Sequence, residues 1–111
     1  TKHIKVDQFH VQADVAPGDK LPFSFTLTRQ HAPLGKCRIE FAIDFVKANG
    51  TLRRKVFKIS EPDYSEKTKL VSKYFSFKKI STRKYYTGKH QLTIIVNGVE
   101  QISKSFKLMT K

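Results

Sequence analysis

The sequence predicts an all-β, immunoglobulin-like antiparallel β-sandwich of about seven strands with no disulfide, on three observations. Apolar residues alternate with polar ones along most of the chain, the period of strands with one face in a core. Clusters of Gly, Pro, Asn and Asp interrupt the alternation at fairly regular spacing. No stretch keeps the apolar period of a helix long enough to form one, which leaves a small barrel as the less favoured alternative. Cys37 is the only cysteine and there is no Trp, so the disulfide and core indole of antibody domains are absent.

The elements follow in order. Residues 4–15 carry Phe9, Val11, Ala13 and Val15 at even spacing, one strand ended by the turn chemistry of Pro17-Gly18-Asp19. Leu21, Phe23, Phe25 and Leu27 define the second strand, with Ser24, Thr26 and Thr28 outward. After Pro33 and Gly35, Cys37, Ile39, Phe41, Ile43 and Phe45 alternate with Arg38, Glu40, Ala42 and Asp44, the longest clean alternation in the chain. Asn49-Gly50 closes a hairpin and offers two positions that accept positive φ. In residues 52–59, Val56, Phe57 and Ile59 do not keep one parity, which predicts an edge strand with a bulge. Residues 60–66 form an acidic turn, and 68–77 return to strand with Val71, Phe75 and Phe77 of one parity. His90, Leu92, Ile94 and Val96 point one way in the next strand, Asn97-Gly98 supplies a type I′ turn, and Ile102, Phe106 and Leu108 are in phase in the last.

At 111 residues the chain is expected to be one domain, 1–111, large enough to bury roughly 65% of its unfolded surface. It lacks a starting Met, so we expect an excised domain or a processed product. Lys+Arg number 22 against nine Asp+Glu, a formal charge of +13 that points to a polyanionic partner, nucleic acid first. A lone cysteine suits a reducing compartment, and cytoplasmic location is expected. Neither a membrane-length apolar run nor an amphipathic helix accompanies the charge, so no membrane partner is expected. His3, His10, His31 and His90 lack metal-ligand spacing, and paired carboxylates, a nucleophile elbow and a glycine-rich phosphate loop are all missing. No catalytic residue, cofactor or metal follows from the sequence.

Strand parity decides where the charge goes. In an up-and-down path the connections around Pro17, around Asn49 and over residues 78–88 share one end of the sandwich, and those around Pro33, Pro62 and Asn97 share the other. Residues 45–60 hold five basic residues and no acid, and residues 67–99 hold eight and no acid, while Glu61, Asp63 and Glu66 fall on the opposite end. A basic pole is therefore expected. The connection 78–88 is longer than usual and contains Lys78, Lys79, Arg83, Lys84, Tyr85 and Tyr86, cations for phosphates and aromatic faces for stacking. Tyr86 also suits the corner tyrosine of sandwich domains, whose hydroxyl ties to backbone, which leaves Tyr85 as the better contact candidate. His90, near this pole, would add to anion binding when protonated.

Four segments carry more than periodicity: F-V-K-A-N-G (45–50), K-V-F-K (55–58), T-R-K-Y-Y-x-G-x-H (82–90) and V-N-G (96–98). Together they resemble the C-terminal immunoglobulin-like domain of DNA alkylation-repair proteins whose N-terminal part is a HEAT-like-repeat DNA glycosylase. Two departures stand out, Thr87 where that family has Pro before the Gly and Arg54 where a Pro precedes the Lys. The resemblance implies a non-catalytic accessory domain at the C-terminus of a larger protein, partnered by an upstream HEAT-like-repeat glycosylase domain of the same chain. It implies DNA carrying an alkylated base as the substrate of the whole protein.

The reading is a DNA-binding domain gripping the phosphodiester backbone, weakly sequence-specific, through Arg53, Arg54, Lys55, Lys78, Lys79, Arg83, Lys84, Lys89, Tyr85 and His90. Its rival is a protein-binding or interdomain adaptor that docks through the edge strand 52–59.

Overall fold

The computed structural model describes residues 4–16, 18–77 and 86–109, and every regular element among them is a strand. The seven long ones are β1 (Lys5–Val11), β3 (Lys20–Thr28), β5 (Ile39–Val46), β6 (Leu52–Ser60), β8 (Thr68–Ser76), β9 (Gly88–Val96) and β10 (Val99–Leu108). Three two-residue strands, β2 (Asp14–Val15), β4 (Gly35–Lys36) and β7 (Asp63–Tyr64), complete ten. β1-β3-β8 form one sheet and β2-β10-β9-β5-β6 the other, with β4 and β7 paired as a small ribbon. This is an immunoglobulin-like sandwich, and its only cysteine, Cys37, is a buried free thiol.

The alternating residues meet between the sheets. Leu21, Phe25, Leu27, Ile39, Ile43, Leu92 and Ile94 are fully shielded from solvent, each worth roughly 1.5–3 kcal/mol of apolar burial. At one margin Phe41, Phe45, Phe57, Phe75 and Phe77 extend the core as a chain of ring contacts between 5.0 and 6.5 Å.

The expected first strand is in fact two. β1 pairs antiparallel with β3, while β2 leaves that sheet and runs parallel to β10 in the other. A bulge between Asp7 and His10, with Gln8 at φ +50°, breaks the even spacing, so Val6 and Phe9 are both buried and Ala13 is exposed. Alternation alone does not register a chain that changes sheets.

Asn97 and Gly98 both take positive φ, as the type I′ hairpin between β9 and β10 requires. The β5–β6 hairpin forms where Asn49-Gly50 predicts it, but only Gly50 has positive φ. It closes through Gly50 N donating to Lys47 O at 2.9 Å and Lys47 N donating to Thr51 O at 2.8 Å, a longer loop than two residues. β6 is the edge strand, and its register slips opposite Ile39 and Glu40, the expected bulge.

Both ends are assembled as parity requires. At one, Lys20 pairs with Ser76, Phe77 N donates to Asp19 O at 2.9 Å, and Val46 packs over Gly88. At the other, Asn97 N donates to Arg38 O, Cys37 N to Pro62 O and Leu34 N to Glu66 O.

Candidate nucleic-acid interface

The register of β6 on β5 sorts its cations by face. Arg53 sits opposite Phe45, Lys55 opposite Ile43 and Phe57 opposite Phe41, so these three share the inward face. Arg54 opposite Asp44, Val56 opposite Ala42 and Lys58 opposite Glu40 share the outward one.

The outward cations are engaged. Arg54 Nε donates to Asp44 Oδ1 at 3.0 Å and its Nη1 to Glu100 Oε2 at 2.8 Å, a bridge from β6 across the sheet to β10. These bonds, with Asp44 first and Glu100 second, raise the guanidinium pKa above its ordinary value. Lys58 Nζ donates to Glu61 Oε1 at 3.1 Å, which lowers the Glu61 pKa. Arg54, expected as a phosphate contact, is thus held by two carboxylates, and the sequence reading missed this because Glu100 lies 46 residues away. Arg53 and Lys55 are exposed, and among the described residues no ion pair holds either.

β8 is the facing edge of the other sheet. Lys69 opposite Leu27, Val71 opposite Phe25, Lys73 opposite Phe23 and Phe75 opposite Leu21 share its inward face. Lys69 pairs with Glu66 at 3.6 Å, whereas Lys73 is exposed with no ion pair among the described residues. Phe57 and Phe75, half-buried with ring centroids 5.1 Å apart, join the two edges. Lys73 was absent from the sequence-derived set. Its parity with Val71 and Phe75 is the signal that would have placed it on this flank.

Lys89 is exposed at the start of β9, opposite Lys107 of β10. His90 is not part of a surface. It is 1% exposed, packed against Phe45, Phe77 and Phe106, with Nδ1 3.1 Å from Gly88 O. Burial lowers its pKa against the smaller opposing effect of the Gly88 carbonyl, so the neutral ring is favoured and an anion-binding role is overturned. Lys78, Lys79, Arg83, Lys84 and Tyr85 lie outside the described residues, and Tyr86 is half-buried.

Carboxylates are not confined to the far end. Asp14 lies in β2 opposite Lys107, and Asp19 precedes β3 with its carbonyl accepting from Phe77 N just past β8, so both are at the expected basic pole. Among the described residues, cations without an ion pair include Arg53, Lys55 and Lys73 on β6 and β8, and Lys5, Lys20, Lys36 and Lys107 elsewhere. Elsewhere, Cys37 donates its thiol to Leu34 O at 3.7 Å, and its burial raises its pKa. No group of His, Cys, Asp and Glu among the described residues is placed to hold a metal ion.

Comparison with known proteins adds to this geometry. Residues 5–110 match the model of a family described as "Uncharacterised protein YhaZ, C-terminal Ig-like domain". Over 92 residues the chain is 44% identical to the YhaZ protein of Bacillus subtilis (strain 168), covering 82% of this chain and 25% of that one. Among solved structures, it is similar to the Pseudomonas fluorescens alkylpurine DNA glycosylase AlkC bound to DNA containing an abasic site analog. There the TM-score is 0.88 at 30% identity, over 96% of this chain and 30% of that one. A Listeria innocua beta-glucosidase shares the fold alone, with a TM-score of 0.73 at 9% identity over 97% of this chain and 16% of that one. The chain thus spans about a quarter of the curated relative it matches. It belongs to the family of YhaZ C-terminal immunoglobulin-like domains.

Proposed function

We propose that this domain is a non-catalytic DNA-binding accessory domain of a cytoplasmic DNA alkylation-repair protein, attached to an upstream HEAT-like-repeat glycosylase domain of the same chain. It holds duplex by the phosphate backbone with little sequence preference. The observation that carries this reading is the charge arrangement: Arg53, Lys55 and Lys89 are exposed without ion pairs among the described residues, while Arg38, Arg54, Lys58 and Lys69 are answered by carboxylates. Uncompensated like charges at short range repel, and a polyanion relieves that repulsion. The likeness to AlkC, bound to DNA in its solved structure, supports the same reading. Lys78, Lys79, Arg83, Lys84 and Tyr85 extend the proposed contact set.

Backbone binding is read from salt. Neutralising about 4 to 6 phosphates gives a slope of log K against log salt of about −3.6 to −5.4. A slope near zero on a short duplex rejects the mechanism.

A second reading rests on Leu52 and Val56, each 52% exposed on the outward face of the unpaired edge strand β6. That edge suits docking of a protein strand or of the upstream domain. Binding of that kind survives salt, and its chemical-shift changes follow β6 without reaching Lys73 or Lys89.

A further inference from the structure

The DNA-binding reading names a partner but leaves open which side of the sandwich the duplex lies against. Resting on that reading, we propose that the flank between β6 and β8 is the track for one phosphodiester strand, held by Arg53 and Lys55 from one sheet and Lys73 from the other.

Three independent features carry the assignment. The first is placement: these cations occupy inward-face positions on two edge strands that meet at the Phe57–Phe75 contact, so they stand at the open mouth between the sheets over an aromatic floor. The second is charge: neither β6 nor β8 contains an acid, and the other cations of these strands, Arg54, Lys58 and Lys69, are already paired. The third is the position of Asp14, which lies in β2 at the opposite edge of its sheet from β6, although Asp19 meets Phe77 just past β8. Arg53 and Lys55 are two residues apart, about 7 Å along the strand, which lets each reach its own phosphate. Nine residues of β6 span about 30 Å, close to one turn of duplex.

Inward-pointing charges on edge strands have another known use, deterring edge-to-edge association. The two roles separate in one experiment. The triple variant Arg53→Gln, Lys55→Gln, Lys73→Gln is titrated with a fluorescein-labelled duplex of about 16 base pairs at several salt concentrations, beside a variant neutralised at Lys78, Lys79, Arg83 and Lys84. Losing three phosphate contacts weakens binding about a hundredfold at 0.15 M salt and makes the salt slope shallower by about 2.7. Lys73→Gln alone, at an exposed position, costs about fivefold. The charge-keeping variant Arg53→Lys, Lys55→Arg, Lys73→Arg binds within about threefold of the parent, which shows that charge and not packing is read. Unchanged affinity and slope in the triple variant, with or without new self-association, overturns the track; binding lost only in the neutralised 78–84 variant then leaves the DNA-binding reading standing. A flat salt slope in the parent chain overturns both.

Discussion

The two flanks of this sandwich are built from similar parts to opposite ends. On the β1/β10 flank a single inward cation, Lys104 opposite Leu92, is drawn down onto backbone, its Nζ donating to Phe9 O at 2.7 Å with the Phe9 ring 5.9 Å away. β2 then adds to the edge of β10, so that side is covered. On the β6/β8 flank, Arg53, Lys55 and Lys73 occupy equivalent inward positions, and among the described residues none of them is held in an ion pair. A lysine on an inward face is thus not a signal of one kind. What it meets across the gap between sheets decides whether it seals the core or remains available to a ligand.

Substitutions on the covered flank should cost stability and leave DNA affinity alone. The largest effect is expected from Phe9→Ala, which removes a ring that is 3% exposed and should cost about 3–5 kcal/mol in chemical unfolding. Lys104→Ala leaves the Phe9 carbonyl without its donor and should cost about 1–2 kcal/mol. If Lys104→Ala instead weakened binding to DNA as much as Lys73→Gln does, the distinction between the flanks would be lost.

His90 lies under both flanks and is tested by pH. Burial lowers its pKa in the folded state, so the unfolded chain binds a proton first as pH falls. Stability should be full above the ordinary histidine value and decline as pH drops below about 6.5 towards the lower folded value. His90→Phe, which extends the cluster of Phe45, Phe77 and Phe106, should flatten that part of the profile of Tm against pH. An unchanged profile would mean that the burial of His90 does not set that part of the profile.

The smallest stability effects belong to the open flank. Arg54→Gln should cost at most about 1 kcal/mol, diminishing with salt, because the Arg54 side chain is 39% exposed and its pairs are screened. Lys73→Gln should change stability by less than about 0.5 kcal/mol. A larger loss there would mean that Lys73 is part of the packing.

Most of the strand plan was legible because alternation is a local property. Phe41, Ile43 and Phe45 declare their face within one strand, and Asn97-Gly98 declares a turn within two residues. The first strand was misread because the bulge at Gln8 and the change of sheet before β2 answer to β3 and β10, both distant in the chain. Parity likewise placed the loops at their ends but said nothing of left and right. The charge on Arg54 could not be judged without Glu100, and His90, whose parity with Leu92 and Ile94 pointed inward but which was read as an anion contact from its place near the basic pole, is enclosed by rings from three other segments.

By itself, then, the sequence determined the fold class, the hairpins and the excess of positive charge, because each follows from side-chain spacing and counting. Only the tertiary structure decided which cations of β6 and β8 remain unanswered and that Arg53, Lys55 and Lys73 share the faces beside the Phe57–Phe75 contact. Charge compensation depends on distance through space, and the two edge strands that meet at that contact belong to different sheets.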